Sequence, residues 1–240
     1  MKLNEFENLN IMYQNLFPVT IIDNFHPDPD AIRNFALDQD FSETALQYPG
    51  RRTKELHEIN SELNDFFFKT VMNVFYPMEL SYTCSFFTSF QLIDARDSNQ
   101  YSVRNRGWIH HDAVVLGGLV YLTKDPEPDT GTTIYRSKHG YHQHKDSWNQ
   151  VKADDYLDRP GFNLEYTEKL MEESLDSVIE TVKVENVYNR CVLFGGNAIH
   201  AAQTFGTRKG KDARLTQPFF CIELNPYMDT YPLCRAYTAG

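Results

Sequence analysis

Four things the sequence lacks narrow the field before any motif is read. None of its 240 residues fall in an apolar run approaching the roughly 18–20 residues of a membrane-spanning helix, so no membrane partner is expected. The start, Met1-Lys2-Leu3-Asn4-Glu5-Phe6-Glu7, lacks the apolar core of a secretory signal, and a cytoplasmic location is the expectation. The four cysteines, Cys84, Cys191, Cys221 and Cys234, show no CxxC spacing. Three of them, Cys84, Cys191 and Cys221, lie in apolar strand-like runs, which predicts small buried hydrophobes rather than a disulfide scaffold. A basic excess is missing too: the formal charge is −10, which argues against broad nucleic-acid binding.

What is present is enough for one domain with a proper core. Hydrophobic residues make up 41% of the chain, and 17 Phe and 14 Tyr favour sheets. Val19 to Phe25 reads as a strand. Asp28 to Leu37 reads as a helix, with an acidic cap and Pro29 in the first turn. Leu56 to Phe75 has helical apolar spacing up to Pro77. Strands then dominate: Tyr82–Ile93, the segment opened by His110–Asp112, Gly117–Thr123, Gly131–Arg136, 180–187, 190–195, 199–204 and 212–224.

The most informative motif is Trp108-Ile109-His110-His111-Asp112, answered far downstream by Asn197-Ala198-Ile199-His200. On a strand, residues two apart share a face, so His110 and Asp112 point one way and His111 the other. His-x-Asp with a distant His is the ligand set of the facial triad for non-haem Fe(II), which leaves positions open. A tetrahedral structural zinc site has no such room. Beyond the second His comes Arg214-Leu215-Thr216-Gln217-Pro218-Phe219-Phe220, whose arginine suits a carboxylate grip.

The order His-x-Asp, Val120-Tyr121-Leu122-Thr123, Gly131-Thr132-Thr133-Ile134-Tyr135, Asn189-Arg190-Cys191-Val192-Leu193-Phe194-Gly195 up to His200, then Arg214-Leu215-Thr216, resembles the Fe(II)/2-oxoglutarate dioxygenase superfamily. It looks closest to the prolyl-hydroxylase-like branch. Tyr48-Pro49-Gly50-Arg51-Arg52-Thr53 further resembles a group of uncharacterised oxygenase-like proteins there. The resemblance covers about residues 80–224. It implies iron ligands His110, Asp112 and His200, with Arg214 clamping the distal carboxylate of 2-oxoglutarate and Thr216 and Tyr121 in the same pocket. The implied cofactors are Fe(II), 2-oxoglutarate and O₂, and the implied reaction hydroxylates a C–H bond. Arg208, in Gly206-Thr207-Arg208, competes with Arg214. The turn-like Lys209-Gly210-Lys211-Asp212 puts Arg208 on a loop and Arg214 in a strand. The offset register His111-Asp112-Ala113, the His-x-Ala of iron halogenases, wastes an adjacent carboxylate.

The expected fold is mainly β: a double-stranded β-helix, or jelly roll, braced by N-terminal helices and carrying one insertion. The single domain divides into a strand and bracing helices (1–78), a jelly-roll core (79–224) and a C-terminal tail (225–240). The polar stretch 137–177 is expected as a lid, mostly loop, with one helix from Asn163 to Ser177 that partly buries Tyr166, Leu170 and Leu175. Its His139, His142 and His144 read as solvated rather than as a second metal site. His26 and His57 read as surface or capping residues. Arg51 and Arg52 are candidates for the pocket entrance, and with Arg104 and Arg106 they suggest a positive rim. That rim suits a small anionic metabolite or an acidic peptide. The alternatives are a non-catalytic jelly-roll binding module and a cupin-like metalloprotein that uses no 2-oxoglutarate. The sequence leaves the oligomeric state open.

Overall fold

The computed structural model describes residues 19–226, apart from 44–47, 76–81, 113, 139–145, 158, 160–161 and 197. His139, His142, His144, Pro77, Asn197 and Cys234 therefore lie outside the described residues, as does the side chain of Cys84. The chain is mainly antiparallel sheet with a few helices. In chain order the strands are β1 (Thr20–Ile22), β2 (Ser42–Glu43), β3 (Arg51–Arg52), β4 (Tyr82–Thr88), β5 (Gln91–Ile93), β6 (Leu116–Tyr121), β7 (Thr132–Ser137), β8 (Val178–Val184), β9 (Cys191–Gly195), β10 (Ile199–Ala202) and β11 (Arg214–Pro226). The helices are α1 (Pro29–Leu37), α2 (Leu56–Ile59), α3 (Ser61–Phe75), α4 (Asp146–Tyr156) and α5 (Leu164–Asp176). Eight strands form one sheet in the order β1-β9-β6-β11-β5-β3-β2, with β4 also beside β11. The other three form a small sheet, β10-β7-β8. No helix among the described residues is long and apolar enough to cross a membrane.

Helix α1 begins as its sequence predicts, with the Asp28 carboxylate accepting from the Ala31 N–H at 3.0 Å. The expected helix 56–75 is two helices. Asn60 ends α2, where its N–H donates to Leu56 O at 2.7 Å. Its side-chain oxygen then caps α3 by accepting from Leu63 N–H at 3.0 Å. The expected strand 82–93 is likewise two, broken at Ser89–Phe90. There Phe90 turns into the core and exchanges hydrogen bonds with Thr53 instead of a strand neighbour. Opposite the break stands Pro218, which has no N–H to offer; its carbonyl accepts from the Thr88 hydroxyl at 2.9 Å.

Alternation along the large sheet makes two unlike faces. Leu215, Phe219 and Cys221 on β11, with Val120, Cys191 and Leu193, meet Leu56, Phe67 and Val71 of the helices in the main core. His26 belongs to this buried face, correcting the surface reading. Its ring packs against Phe25 and Phe67 and bonds Gln217 at 2.9 Å, because Gln217 faces the helices between Leu215 and Phe219. His57 is exposed and pairs with Glu55. Cys191 and Cys221 are both buried, as expected of small hydrophobes.

The stretch 137–177 holds more structure than its polarity suggests. Asn163 caps α5 as expected, accepting from Tyr166 N–H at 3.0 Å. Its buried residues are Thr167, Leu170, Met171 and Ser174, however, while Tyr166 and Leu175 are exposed. The sequence reading missed α4. Leu170 and Met171 pack with Val103 and Trp108, and α4 adds Val151 and Tyr156. Asp155 of α4 is buried in an ion pair with Arg96 at 2.7 Å and accepts from the Trp108 indole N–H at 3.3 Å.

Candidate metal centre

The segment at 110–112 and strand β10 bring the three expected ligands together. In place of the expected strand at 110–112 there is a single antiparallel bridge: His110 N–H donates to His200 O at 3.0 Å, and His200 N–H donates to His110 O at 2.8 Å. This exchange sets the two imidazoles side by side, with ring centres 4.3 Å apart. Asp112 N–H donates to Gly196 O at 3.0 Å, which fixes the carboxylate beside them. The Asp112 oxygens lie 3.6 Å from His110 Nε2 and 3.5 Å from His200 Nε2, and the three donor atoms lie within 4.8 Å of one another. His111, between them in sequence, is exposed.

The donor set is ready for a cation. His110 Nδ1 bonds Trp108 O at 2.8 Å, and His200 Nδ1 bonds Ala198 O at 2.9 Å. A carbonyl only accepts, so each Nδ1 carries the proton and each Nε2 presents its lone pair. Burial holds the His200 pKa below its ordinary value against the opposing pull of Asp112, favouring the neutral imidazole that binds metal. Cis donors about 2.1 Å from a common ion stand about 3 Å apart. A modest inward movement brings this set onto one ion. Phe194 of β9 closes one side, with its ring centre 4.4 Å from that of His200.

A second polar group lies on the same side of the large sheet. In register across it run Arg52, Gln91, Thr216 and Tyr121, all on one face. Two residues from Thr216 on that face is Arg214, which is 5% exposed. Its Nε donates to Thr130 O at 2.9 Å, and its guanidinium carbon lies 5.6 Å from the Tyr121 ring centre. Arg214 Nη2 is buried without a hydrogen-bond partner. The Tyr121 hydroxyl donates to Thr132 at 2.7 Å. Thr132 shares its face of β7 with Ile134, which is paired with His200. The arginine and the triad thus open into the space between the same two sheets.

Of the other expected residues, Arg208 borders a small pocket together with Arg214, Thr130 and Asn186. Arg208 lies in the loop before β11, partly exposed, with Nη1 3.4 Å from Lys124 O and Nε 4.0 Å from a Glu127 carboxylate oxygen. Arg52 is half-buried; its guanidinium lies 3.6 Å from the Tyr48 ring centre and 5.3 Å from that of Phe220. Gly50, at φ 75°, makes the turn that brings β3 onto β5. Arg51 is on the opposite face and pairs with Asp94 at 3.0 Å. Arg106 is exposed and lines a separate cleft of about 310 Å³ on the far face of the small sheet, with Tyr101, Trp108, Tyr135, Met171 and Gln203.

One residue near the triad carried no signal in the sequence. Lys152 of α4 is half-buried, with Nζ 6.0 Å from the Tyr156 ring centre. Burial lowers its pKa to about 8, opposed by the negative charge of Asp112, and its own charge acts on His200.

Over residues 8–220 the sequence matches the model of a family of unknown function, DUF6445. No curated protein matches. Among solved structures the chain is similar to HygX from Streptomyces hygroscopicus with nickel, 2-oxoglutarate and hygromycin B bound, at 13% identity, covering 94% of this chain and 88% of that one, with a TM-score of 0.49. It is similar to a Pseudomonas putida prolyl-4-hydroxylase at 12% identity, covering 87% and 94%, with a TM-score of 0.44. A third is the non-heme alpha ketoglutarate dependent epimerase SnoN from nogalamycin biosynthesis, at 11% identity, covering 91% and 83%, with a TM-score of 0.44.

Proposed function

The chain belongs to the DUF6445 family, and we propose that it is a cytoplasmic Fe(II)- and 2-oxoglutarate-dependent oxygenase that hydroxylates a C–H bond of a small molecule or peptide side chain. One observation carries this: two imidazole Nε2 atoms and a carboxylate converge on one point, while a buried arginine with an unpartnered Nη2 faces the same space. We read the two sheets around that space as the layers of a double-stranded β-helix.

In this reading His110, Asp112 and His200 would hold the metal and leave it open to further ligands. With O₂, iron and 2-oxoglutarate supply an oxidant able to take a hydrogen atom from carbon, releasing succinate and CO₂. The chain's own residues position and exclude. Arg214 binds the distal carboxylate of 2-oxoglutarate through its guanidinium fork, which a lysine cannot match. A buried cation without an acid partner is unfavourable, and an incoming carboxylate removes that penalty. Thr216 offers a hydroxyl beside Arg214, and Tyr121 lines the same pocket under its hydroxyl bond to Thr132. Phe194 keeps water from the His200 side. A cupin-like metalloprotein or a binding module has no use for a carboxylate clamp at Arg214.

The test is direct. Anaerobic Fe(II) protein is expected to develop a weak visible charge-transfer band on addition of 2-oxoglutarate, and to form succinate once O₂ is admitted. Metal binding with neither band nor succinate removes the oxygenase reading.

A further inference from the structure

Two cations approach the triad that neither the metal nor the co-substrate needs. Arg52 comes from β3 and Lys152 from α4. Arg52 and Asp112 both border the paired residues Gly117 and Phe220 of the large sheet. A Cβ on Gly117 would stand 3.7 Å from an Asp112 carboxylate oxygen. Gly117 is paired with Phe220, and the Arg52 guanidinium lies 5.3 Å from the Phe220 ring centre. The Tyr48 ring lies against that guanidinium and fixes its plane. Lys152 is delivered by a helix anchored on the segment that leads into His110: Tyr156 OH lies 3.3 Å from Trp108 N, and Asp155 holds the Trp108 indole.

Neither cation has an acid of its own. Among the described residues neither makes an ion pair. Arg52 has a long 3.5 Å bond to Gln91, a hydrogen bond to the Tyr48 side chain, and an Nε shielded from water without a partner. Asp112 is the acid whose charge acts on both, and a metal claims that carboxylate. Two cations beside a divalent ion repel it and each other, so the missing negative charge belongs to a ligand. Of the other expected rim residues, Arg51 faces away with Asp94, Arg104 lies against the Phe162 ring, and Arg106 lies at the separate cleft.

Resting on the oxygenase reading, we propose that Arg52 and Lys152 together grip an anionic group, a carboxylate or a phosphate, on a small-molecule primary substrate. The flat guanidinium on its aromatic shelf supplies a bidentate fork, and the ammonium supplies a mobile point charge. The anion anchors the substrate and leaves its C–H bond toward the metal.

The test uses the full chain loaded with redox-silent Zn(II) and saturated with 2-oxoglutarate, so that binding is read without turnover. N-acetylated amino acids are titrated against their neutral primary amides, and phosphoserine against serine, by calorimetry. At least one acid is expected to bind ten times or more tightly than its neutral twin. The arm that responds distinguishes carboxylate from phosphate. Arg52→Gln and Lys152→Gln are each expected to weaken that acid at least tenfold while leaving 2-oxoglutarate affinity within twofold, and Arg52→Lys should recover part of the loss. Equal binding of acid and neutral twin, no acid bound by the wild type, or unchanged affinity in both variants overturns the proposal. So does a loss of 2-oxoglutarate affinity in the variants, which assigns the cations to the co-substrate. A wild type that binds an acid but no 2-oxoglutarate instead fails the oxygenase reading alone.

Discussion

The two faces of β11 are made from alternate residues of one strand, yet they follow opposite rules. Toward the helices stand Leu215, Gln217, Phe219 and Cys221, in an apolar core where Gln217 bonds His26 and Thr88. Toward the small sheet stand Arg214, Thr216, Pro218 and Phe220, with a guanidinium nitrogen left unpartnered. The first face is apolar and holds no buried charge, and what it leaves over is a neutral ring nitrogen, His26 Nδ1. The second keeps polar groups in reserve, and a native chain tolerates such a reserve where a ligand completes it.

The contrast is broken most completely at the metal. Asp112→Ala is expected to abolish turnover and cut Fe(II) affinity, measured by competition with a chromophoric chelator, with little change in melting temperature of the metal-free protein. His111→Ala should leave affinity intact. If His111→Ala loses metal and His110→Ala keeps it, the ligand register is wrong.

On the apolar face, Phe219→Ala empties a site among Phe67 and Phe86, and should lower stability by about 3–5 kcal/mol in denaturant titration. Its effect on 2-oxoglutarate affinity in the remaining folded protein should be small. On the reserve face the pattern inverts. Arg214→Ala should weaken 2-oxoglutarate by roughly 2–5 kcal/mol, one to several orders of magnitude in its constant. Arg214→Met, which replaces an unpaired buried charge by an apolar chain, should leave the ligand-free protein as stable or more so. Arg208→Ala should change the co-substrate constant far less, and a reversed pair of results moves the clamp to Arg208.

The smallest effect concerns pH. Burial depresses the His26 pKa below 6.5, against a partial pull from Gln217. The folded ring stays neutral where the unfolded one takes a proton. The stability it contributes is therefore full above pH 6.5 and lost as pH falls from there through the depressed folded value. The stability gap between wild type and His26→Gln should narrow over that range in pH-dependent melts; a constant gap means that His26 does not titrate differently on folding.

How much of this was legible beforehand depends on whether the deciding interaction is local. The cap at Asp28 is written in neighbouring residues and could be read, whereas the strand read at 110–112 is a single bridge held by the remote His200. The break at Asn60 was missed because apolar spacing runs through it while the capping bond does not show in that spacing. The break at Phe90 depends on Thr53, and the burial of His26 on Gln217, both remote in sequence. Helix α4 hid for a related reason. Its sequence, Asp146 to Tyr156, has a weak apolar stripe, and what holds it is the distant pair Arg96 and Trp108. Without α4 there was no means of placing Lys152.

The exchanged pair of backbone bonds between His110 and His200 has a consequence for how long the chain survives. These residues are remote in sequence and meet only after β10 has docked, so an unfolded chain offers an ion no comparable grip. Any divalent ion held there is then also a folding ligand: at a free concentration a thousandfold above its dissociation constant it adds about 4 kcal/mol to the unfolding free energy. An ion that ties His110 to Asp112 and His200 also closes a long loop, a crosslink that dissolves when the ion leaves. The protein's lifetime in a cell would then follow the supply of iron, with metal-starved chains the first to unfold and be degraded.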